Sequence, residues 1–412
     1  MKKIFIYYPS QHIGGAQIFF EKIAKILDKM GYQIGIFSNT KEYIEKVLVE
    51  SGIKVNRCCT TDNETERFIN EDDFILLTSF SYLYSIATKI DLSRCQKVIF
   101  FDLHPSNVIG QLPLGFLFRY KNFVLSRVMP YLLFYPTISQ TRNIIQEGIK
   151  ARCISFLCAK NYELNEFAFN LNARPLFIPI PIDVPLISKP IRDYGGVINI
   201  LWVSRLDIDK VKILNLLIED VEDFNRKSPE SKVVLHIIGD GKAKSFIRTT
   251  KHTEVKYYGV LCKEELWRFA ISSINCSYGV GTAALEIAAL GIVTFLIPSM
   301  DEYSYYSNTS NRYLPLYMVD GCDVAVEKKH KNKTISFEHS IRMLIRNGAE
   351  DGVRCREHVK SFHNEAKIIE ALLLMISSNK ESENFVRSVS KLRLGWMQRT
   401  LLRLRNHVYK YV

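Results

Sequence analysis

In "SYGVGTAALEIAALG", Ser277 to Gly291, a single glutamate, Glu286, sits in an otherwise uncharged run just after a glycine turn. Burying an ionised carboxylate without a partner is costly. Either Glu286 reaches solvent, or something at this place needs a carboxylate. Gly279 and Gly281 shape a loop, and Thr282 or Ala283 opens a helix beside it. Glu286 then lies one turn in, near the positive end of the helix dipole, where negative charge is tolerated. A carboxylate so placed can accept both hydroxyls of a ribose, as acidic residues do in dinucleotide folds. The plainer alternative is a carboxylate bonded to nearby backbone or to a cation.

The surrounding sequence alternates strands and helices. Upstream of this stretch come "INILWV" (198–203), a helical pattern around 211–225, "VVLHII" (233–238), "VKYY" and "INCS"; downstream comes "VTFLI". The first part of the chain repeats the alternation: "KIFIYY" (3–8), a helix at "IFFEKIAKILDKM" (18–30), then "QIGIFS", "FILLT" and "KVIFF". Short apolar runs between helical patterns imply parallel sheets covered on both faces. Between the two parts, "FIPIPIDVPLISKPIRDYGG" (177–196) is too rich in proline and glycine to continue a helix or a central strand. It reads as a linker. In parallel sheets ligands bind beyond the carboxyl ends of the strands, and each remaining motif falls there.

"YYPSQHIGGAQIFFEK" carries Gly14 and Gly15 between a strand and a helix, where free N–H groups attract anions and glycine permits close approach. A plain strand-to-helix turn would look the same. "WVSRLDIDK" places Arg205 and Lys210 just after a strand. Two such cations can grip a diphosphate, arginine through its planar fork and lysine as a point charge. Alternatively they form a solvated cluster with Asp207 and Asp209. "DID" as a metal-holding pair is disfavoured by these neighbouring cations, so no metal site is expected. "HIIGDGKAKSFI" runs a strand into the tight turn Gly239-Asp240-Gly241.

Together, the order and spacing of these motifs resemble the retaining glycosyltransferases of the GT-B fold, specifically glycosyltransferase family four. The family pattern has an N-terminal Gly-Gly loop, an arginine and a lysine after the first strand of the second domain, a Gly-Asp-Gly turn, and a segment like "EGFGLPPLEAMACG". The resemblance implies an α/β fold of two Rossmann-like parallel-sheet domains facing a central cleft. It implies an acceptor-binding domain at 1–178, a linker at 179–197, a donor-binding domain at 198–375 and a basic helical tail at 376–412. Arg205 and Lys210 would hold the donor diphosphate, Glu286 the ribose, and the loop from Gly279 through Gly281 and Thr282 to Ala283 the sugar and phosphates. Gly14, Gly15 and Gly239 would complete the donor side. The donor is then a substrate, and no cofactor is expected.

One position departs from the family. Its usual second glutamate, eight residues before Glu286, is Tyr278 here; Tyr278 is therefore expected on the sugar side without that carboxylate. The family's N-terminal domain often places a histidine near the reacting sugar. His104 in "VIFFDLHPSN" is the candidate, His12 in the glycine loop its rival, and Asp102 a residue that caps the turn. The alternatives to a transferase are a nucleotide-sugar-binding module without turnover and a sugar-nucleotide epimerase.

Composition sets the remaining bounds. At 412 residues the chain exceeds what one core usually supports. Its nine cysteines have no metal-like spacing and read as reduced thiols of a cytosolic protein, and "MKKIFIYYPS" does not read as a secretory leader. The stretch Gln111 to Pro136 is broken by Arg119, Lys121, Arg127 and prolines, so no membrane span is expected. The net charge of +12 points to an anionic partner. No aromatic and basic recognition motif supports nucleic acid. From Asn384 to Val412 there are seven Lys or Arg and no acidic residue, and Leu394, Met397, Leu401, Leu404, Val408 and Tyr411 recur at three- and four-residue spacing. This reads as an interfacial helix on anionic lipid, helped by the basic, aromatic segment 111–136, although docking on the protein itself would also use an apolar stripe. A glycan or lipid-linked acceptor at the cytoplasmic face of the membrane would suit such a protein.

Overall fold

A computed structural model describes residues 2–9, 14–39, 43–59, 67–112, 115–119, 126, 128–186, 196–228, 230–377, 379–393 and 400. The chain divides into two compact units: Met1–Pro181 together with Ala366–Val412, and Ile182–Glu365.

In the first unit the order is β1 (Lys3–Tyr7), α1 (Gly15–Lys29), β2 (Gln33–Phe37), α2 (Tyr43–Glu50), β3 (Val55–Cys58), β4 (Phe74–Ser79), α3 (Ile86–Lys89), β5 (Cys95–Asp102), α4 (Met129–Lys150), β6 (Ile154–Phe156), α5 (Ala159–Phe169) and β7 (Leu176–Phe177). The strands form one parallel sheet in the order β3-β2-β1-β4-β5-β6-β7. β4 and β5 are buried along almost their whole length, as expected of strands covered on both faces.

The second unit repeats the plan with β8 (Val197–Val203), α6 (Ile208–Lys227), β9 (Lys232–Ile238), β10 (Glu254–Tyr257), α7 (Lys263–Ser273), β11 (Cys276–Gly279), α8 (Gly281–Ala289), β12 (Val293–Leu296), α9 (Tyr303–Tyr306), β13 (Leu314–Pro315) and α10 (Phe337–Phe362). Its sheet runs β10-β9-β8-β11-β12-β13, parallel except for β13. In each sheet the strand order reverses beside the first strand, between β1 and β4 and between β8 and β11. These reversals are the switch points at which open α/β sheets leave a crevice.

The chain then closes with α11 (Glu365–Ile376) and α12 (Lys380–Lys391). Both belong to the first unit, which corrects the expected extent of the second domain to residue 375 and of a tail from 376. Ile368, Leu372, Met375 and Ile376 of α11 are buried with Ile4, Ile6 and Phe101. Phe385, Val386 and Val389 of α12, with Leu392, are buried in the core on the other face of the same sheet. Lys97 fastens this return. Its buried ammonium donates to the carbonyls of Ala151 (3.2 Å) and Ser377 (2.9 Å), and burial lowers its pKa. The docked part of the expected interfacial helix therefore reaches Leu392. The stripe from Leu394 to Tyr411 lies outside the described residues, apart from nearby Thr400. Among the described residues no helix is long and apolar enough to cross a membrane.

Candidate functional site

At the carboxyl ends of β8 and β9, two loops separated by more than thirty residues in sequence are laced together by main chain. Ser204 N–H donates to Ile238 (3.1 Å), Leu206 N–H to Asp240 (2.9 Å) and Ala243 N–H to Leu206 (2.9 Å). This approach leaves no room for side chains. A Cβ on Gly239 would stand 1.8 Å from the Ser204 oxygen, and one on Gly241 2.5 Å from that of Leu206. Gly239 also has φ +135°, which side chains rarely adopt. The Gly-Asp-Gly turn thus supports the Arg205 loop directly.

On this support, Arg205 lies 3.2 Å from the Asp207 carboxylate and Lys210 3.2 Å from that of Asp209. Asp207 is the N-cap residue of α6. The acidic pairing that the sequence offered as an alternative therefore exists. It is an exposed pairing of the kind worth about 1 kcal/mol or less, readily exchanged for an anion.

Next to β8 in the sheet, β11 ends at Gly279 and α8 begins at Gly281, whose φ is +65°. The Gly281 N–H is already taken by the Val324 carbonyl at 2.9 Å. At Thr282 and Ala283 the N–H groups have no partner within the helix, as at any helix start. Glu286 is the one residue from Ala284 to Leu290 that is not buried. It is half-buried in the otherwise buried run.

Tyr278, expected on the sugar side, turns its ring into the core of the second unit. It is 1% exposed, stacked on Phe295 with ring centroids 5.1 Å apart, and its hydroxyl lies 2.6 Å from that of Ser340, which in turn donates to the Phe337 carbonyl. Strand alternation explains this. Cys276 and Tyr278 share the face of β11 that packs into the core.

In the first unit, Gly14 is the N-cap residue of α1 with extended backbone, and Gly15 begins the helix. His12 lies outside the described residues. His104 is exposed, two residues beyond β5. Its Nδ1 accepts the Ser106 N–H at 3.2 Å, which places the ring proton on Nε2. Beneath this loop is Asp102, fully buried, accepting from Asn165 Nδ2 at 2.8 Å on its carboxyl and from Asn161 Nδ2 at 2.6 Å on its carbonyl. Burial pushes the Asp102 carboxyl well above the usual range, against the pull of bonds from Asn165, His104 and Asn107. Gln111 ties the same loop to the one after β4, donating to Phe80 (2.9 Å) and Asn107 (2.8 Å).

Sequence reasoning missed Gln111, Asn161, Asn165 and the Val324 carbonyl. Asn161 and Asn165 carried a readable signal, since polar residues four apart share one helix face. Gln111 and Val324 act through contacts distant in sequence and carried none. Among the described residues no three His, Cys, Asp or Glu side chains group as a metal site.

No protein-family profile matches the chain, and no curated protein matches it. Solved structures do. TarM matches at a TM-score of 0.56 and 11% identity over 92% of this chain and 99% of that one. A point mutant of S. aureus TarM in complex with fondaparinux, alpha-GlcNAc-glycerol and UDP matches at 0.54 and 12% identity over 92% and 100%. Anabaena HepE in complex with UDP matches at 0.50 and 12% identity over 90% and 98%. At such identities the likeness concerns the fold, and the fold is GT-B: two α/β units, each built on a Rossmann-like, largely parallel sheet.

Proposed function

We propose that this protein is a glycosyltransferase that moves a sugar from a nucleotide-diphosphate donor to a hydroxyl acceptor with retention, in bacterial surface polysaccharide or glycolipid synthesis. The observation that carries the reading is the lacing of the Arg205 loop to the Gly239–Gly241 turn, one strand away from the helix that presents Glu286. The fold agrees, and the TarM mutant and HepE structures contain UDP.

In this reading Arg205 and Lys210 exchange their exposed carboxylate partners for the donor diphosphate, doing the work that a divalent ion would do elsewhere. Glu286 accepts the ribose hydroxyls. The N–H groups of Thr282 and Ala283, with the Gly279–Gly281 loop, bind sugar and phosphate oxygens. Cations already in place stabilise the charge that develops on the leaving diphosphate. The acceptor oxygen bonds to the anomeric carbon on the face the diphosphate leaves, and the acceptor proton passes to a departing phosphate oxygen. His104, carrying its proton on Nε2, is assigned as a hydrogen-bond donor to the reacting sugar. The protein would work at the inner face of the cell membrane.

A thermal-shift panel of nucleotide-diphosphate sugars, with UDP-sugars first, tests donor binding, because a ligand bound only by the folded state raises its stability. No shift with any of them would end the reading. Anomeric analysis of the product then tests retention. Tyr278 favours a second reading, a nucleotide-sugar-binding module without turnover, since position 278 holds no carboxylate for the sugar. Acceptor-dependent release of UDP excludes that module, and excludes an epimerase as well.

A further inference from the structure

The largest concentration of exposed apolar side chains among the described residues is at the start of α4. Val128 (44%), Met129 (36%), Leu132 (79%), Leu133 (49%) and Tyr135 (61%) fall within eight residues. The backbone separates this turn from the rest of the helix. Phe134 has non-helical φ and ψ (−133° and 24°), and Pro136 lacks the N–H that would donate back to Leu132. The turn is anchored from below, where Tyr131 donates to the Ala168 carbonyl at 3.0 Å and Phe134 is buried. Its outer face is therefore a fixed ridge on an ordered support.

Charge in the surrounding sequence has one sign. The protein has 43 carboxylates in 412 residues, yet there is none between Asp102 and Glu147, a stretch that holds Arg119, Lys121, Arg127 and Arg142. The neighbouring helix α5 carries Lys160 with the exposed Glu163 and Glu166, a net of one negative charge against the four cations of that stretch. Exposed leucines and a tyrosine within a stretch of sequence that holds cations and no carboxylate fit the boundary between headgroups and acyl chains, where apolar tips sink in and cations meet anionic headgroups. Nucleic acid would reward the cations and leave the leucines in water.

We infer that the ridge Val128–Tyr135 is a membrane-docking surface that inserts into an anionic lipid leaflet. It gives the proposed peripheral location a definite place in the first unit, and it does not depend on the donor chemistry.

The test uses the full chain with vesicles of phosphatidylcholine, with and without phosphatidylglycerol, at low salt. Wild type is expected to sediment with the anionic vesicles and not with the neutral ones. Leu132→Ser combined with Leu133→Ser should lower the bound fraction by about tenfold, while Val353→Ser, an exposed apolar position on α10, should leave it unchanged. Leu132→Trp supplies an independent readout, a shift of its added fluorescence to shorter wavelength on anionic vesicles only. The nucleotide-sugar thermal shift should be the same in all variants, so loss of lipid binding and loss of the donor reading are separable. Equal sedimentation of wild type and the double serine variant overturns the inference, as does equal binding to neutral vesicles. A wild-type dimer that the serines dissociate, seen by light scattering, assigns the ridge to a second copy instead and also overturns it.

Discussion

The Ser204 carbonyl occupies the space that a side chain on Gly239 would need, with only 1.8 Å between its oxygen and a Cβ placed there. Gly239→Ala should therefore cost more than the roughly 1–3 kcal/mol of an unfavourable backbone conformation alone, because the two loops must also separate. Gly259 provides the comparison. Its φ is +69° but nothing lies within 4 Å, so Gly259→Ala should cost only about 1–2 kcal/mol. Urea unfolding of both variants checks the difference, and equal losses would mean that the lacing adds nothing.

Arg205→Ala and Lys210→Ala should each weaken donor binding by about 1.5–3 kcal/mol, roughly ten- to a hundredfold in Kd. Their melting temperatures should match wild type, since both ion pairs are solvent-exposed. Calorimetric titration with UDP-sugar measures the first effect. An unchanged Kd in both variants removes the diphosphate assignment.

Glu286→Gln should reduce affinity for UDP while leaving that for inorganic pyrophosphate nearly unchanged. The amide keeps the shape but offers fewer acceptor positions for a pair of hydroxyls. Equal losses with both ligands would assign Glu286 to holding the loop.

Asp102→Asn should be more stable than Asp102→Ala at neutral pH, because the amide oxygen still accepts from Asn165 and the side chain carries no charge to bury. Asp102→Ala should lose about 1–3 kcal/mol by leaving one of the two Asn165 Nδ2 N–H groups without its acceptor, the other still donating to the Asn161 carbonyl at 2.8 Å. The pH profile separates the causes. The folded-state pKa of Asp102 is raised, so its contribution is full below the unfolded value of about 3.9 and declines as pH rises toward the folded one. That decline should be absent in the Asn variant. Melting curves from pH 4 to 8 that run parallel for both proteins would show that Asp102 is not the group responsible.

Ending the chain at Glu383 should destabilise the first unit by more than ending it after Arg393 does. The shorter form loses Phe385, Val386, Val389 and Leu392 from the core, and removing a buried phenylalanine side chain alone costs about 3–5 kcal/mol. Thermal melting of the two forms decides it. For the same reason only the longer form can report on lipid binding beyond Leu392.

Much of this molecule is local and legible in the sequence alone. Buried parallel strands such as Ile198–Val203 and Val233–Ile238 appear as nearly continuous apolar runs because both faces are covered, each broken once, by Asn199 and by His236, whose side chains meet at 2.9 Å. Strand-to-helix turns betray themselves at Gly14-Gly15 and Gly279–Gly281, and cations just past a strand fall at its carboxyl end whatever the packing. The helix repeat likewise predicted that Glu286 follows one turn after Gly281. What the tertiary structure decided is which distant segments meet. Nothing near Gly239 in sequence says that Ser204 stands against it, or that Val324 would take the N–H of Gly281. Tyr278 showed how a motif position is overruled, for the face of a strand follows from its partners' packing, and its ring went to Phe295 and Ser340. The return of α11 and α12 to the first unit was equally hidden. An amphipathic helix states that one face must be buried, but the surface that buries it is chosen by contacts hundreds of residues away.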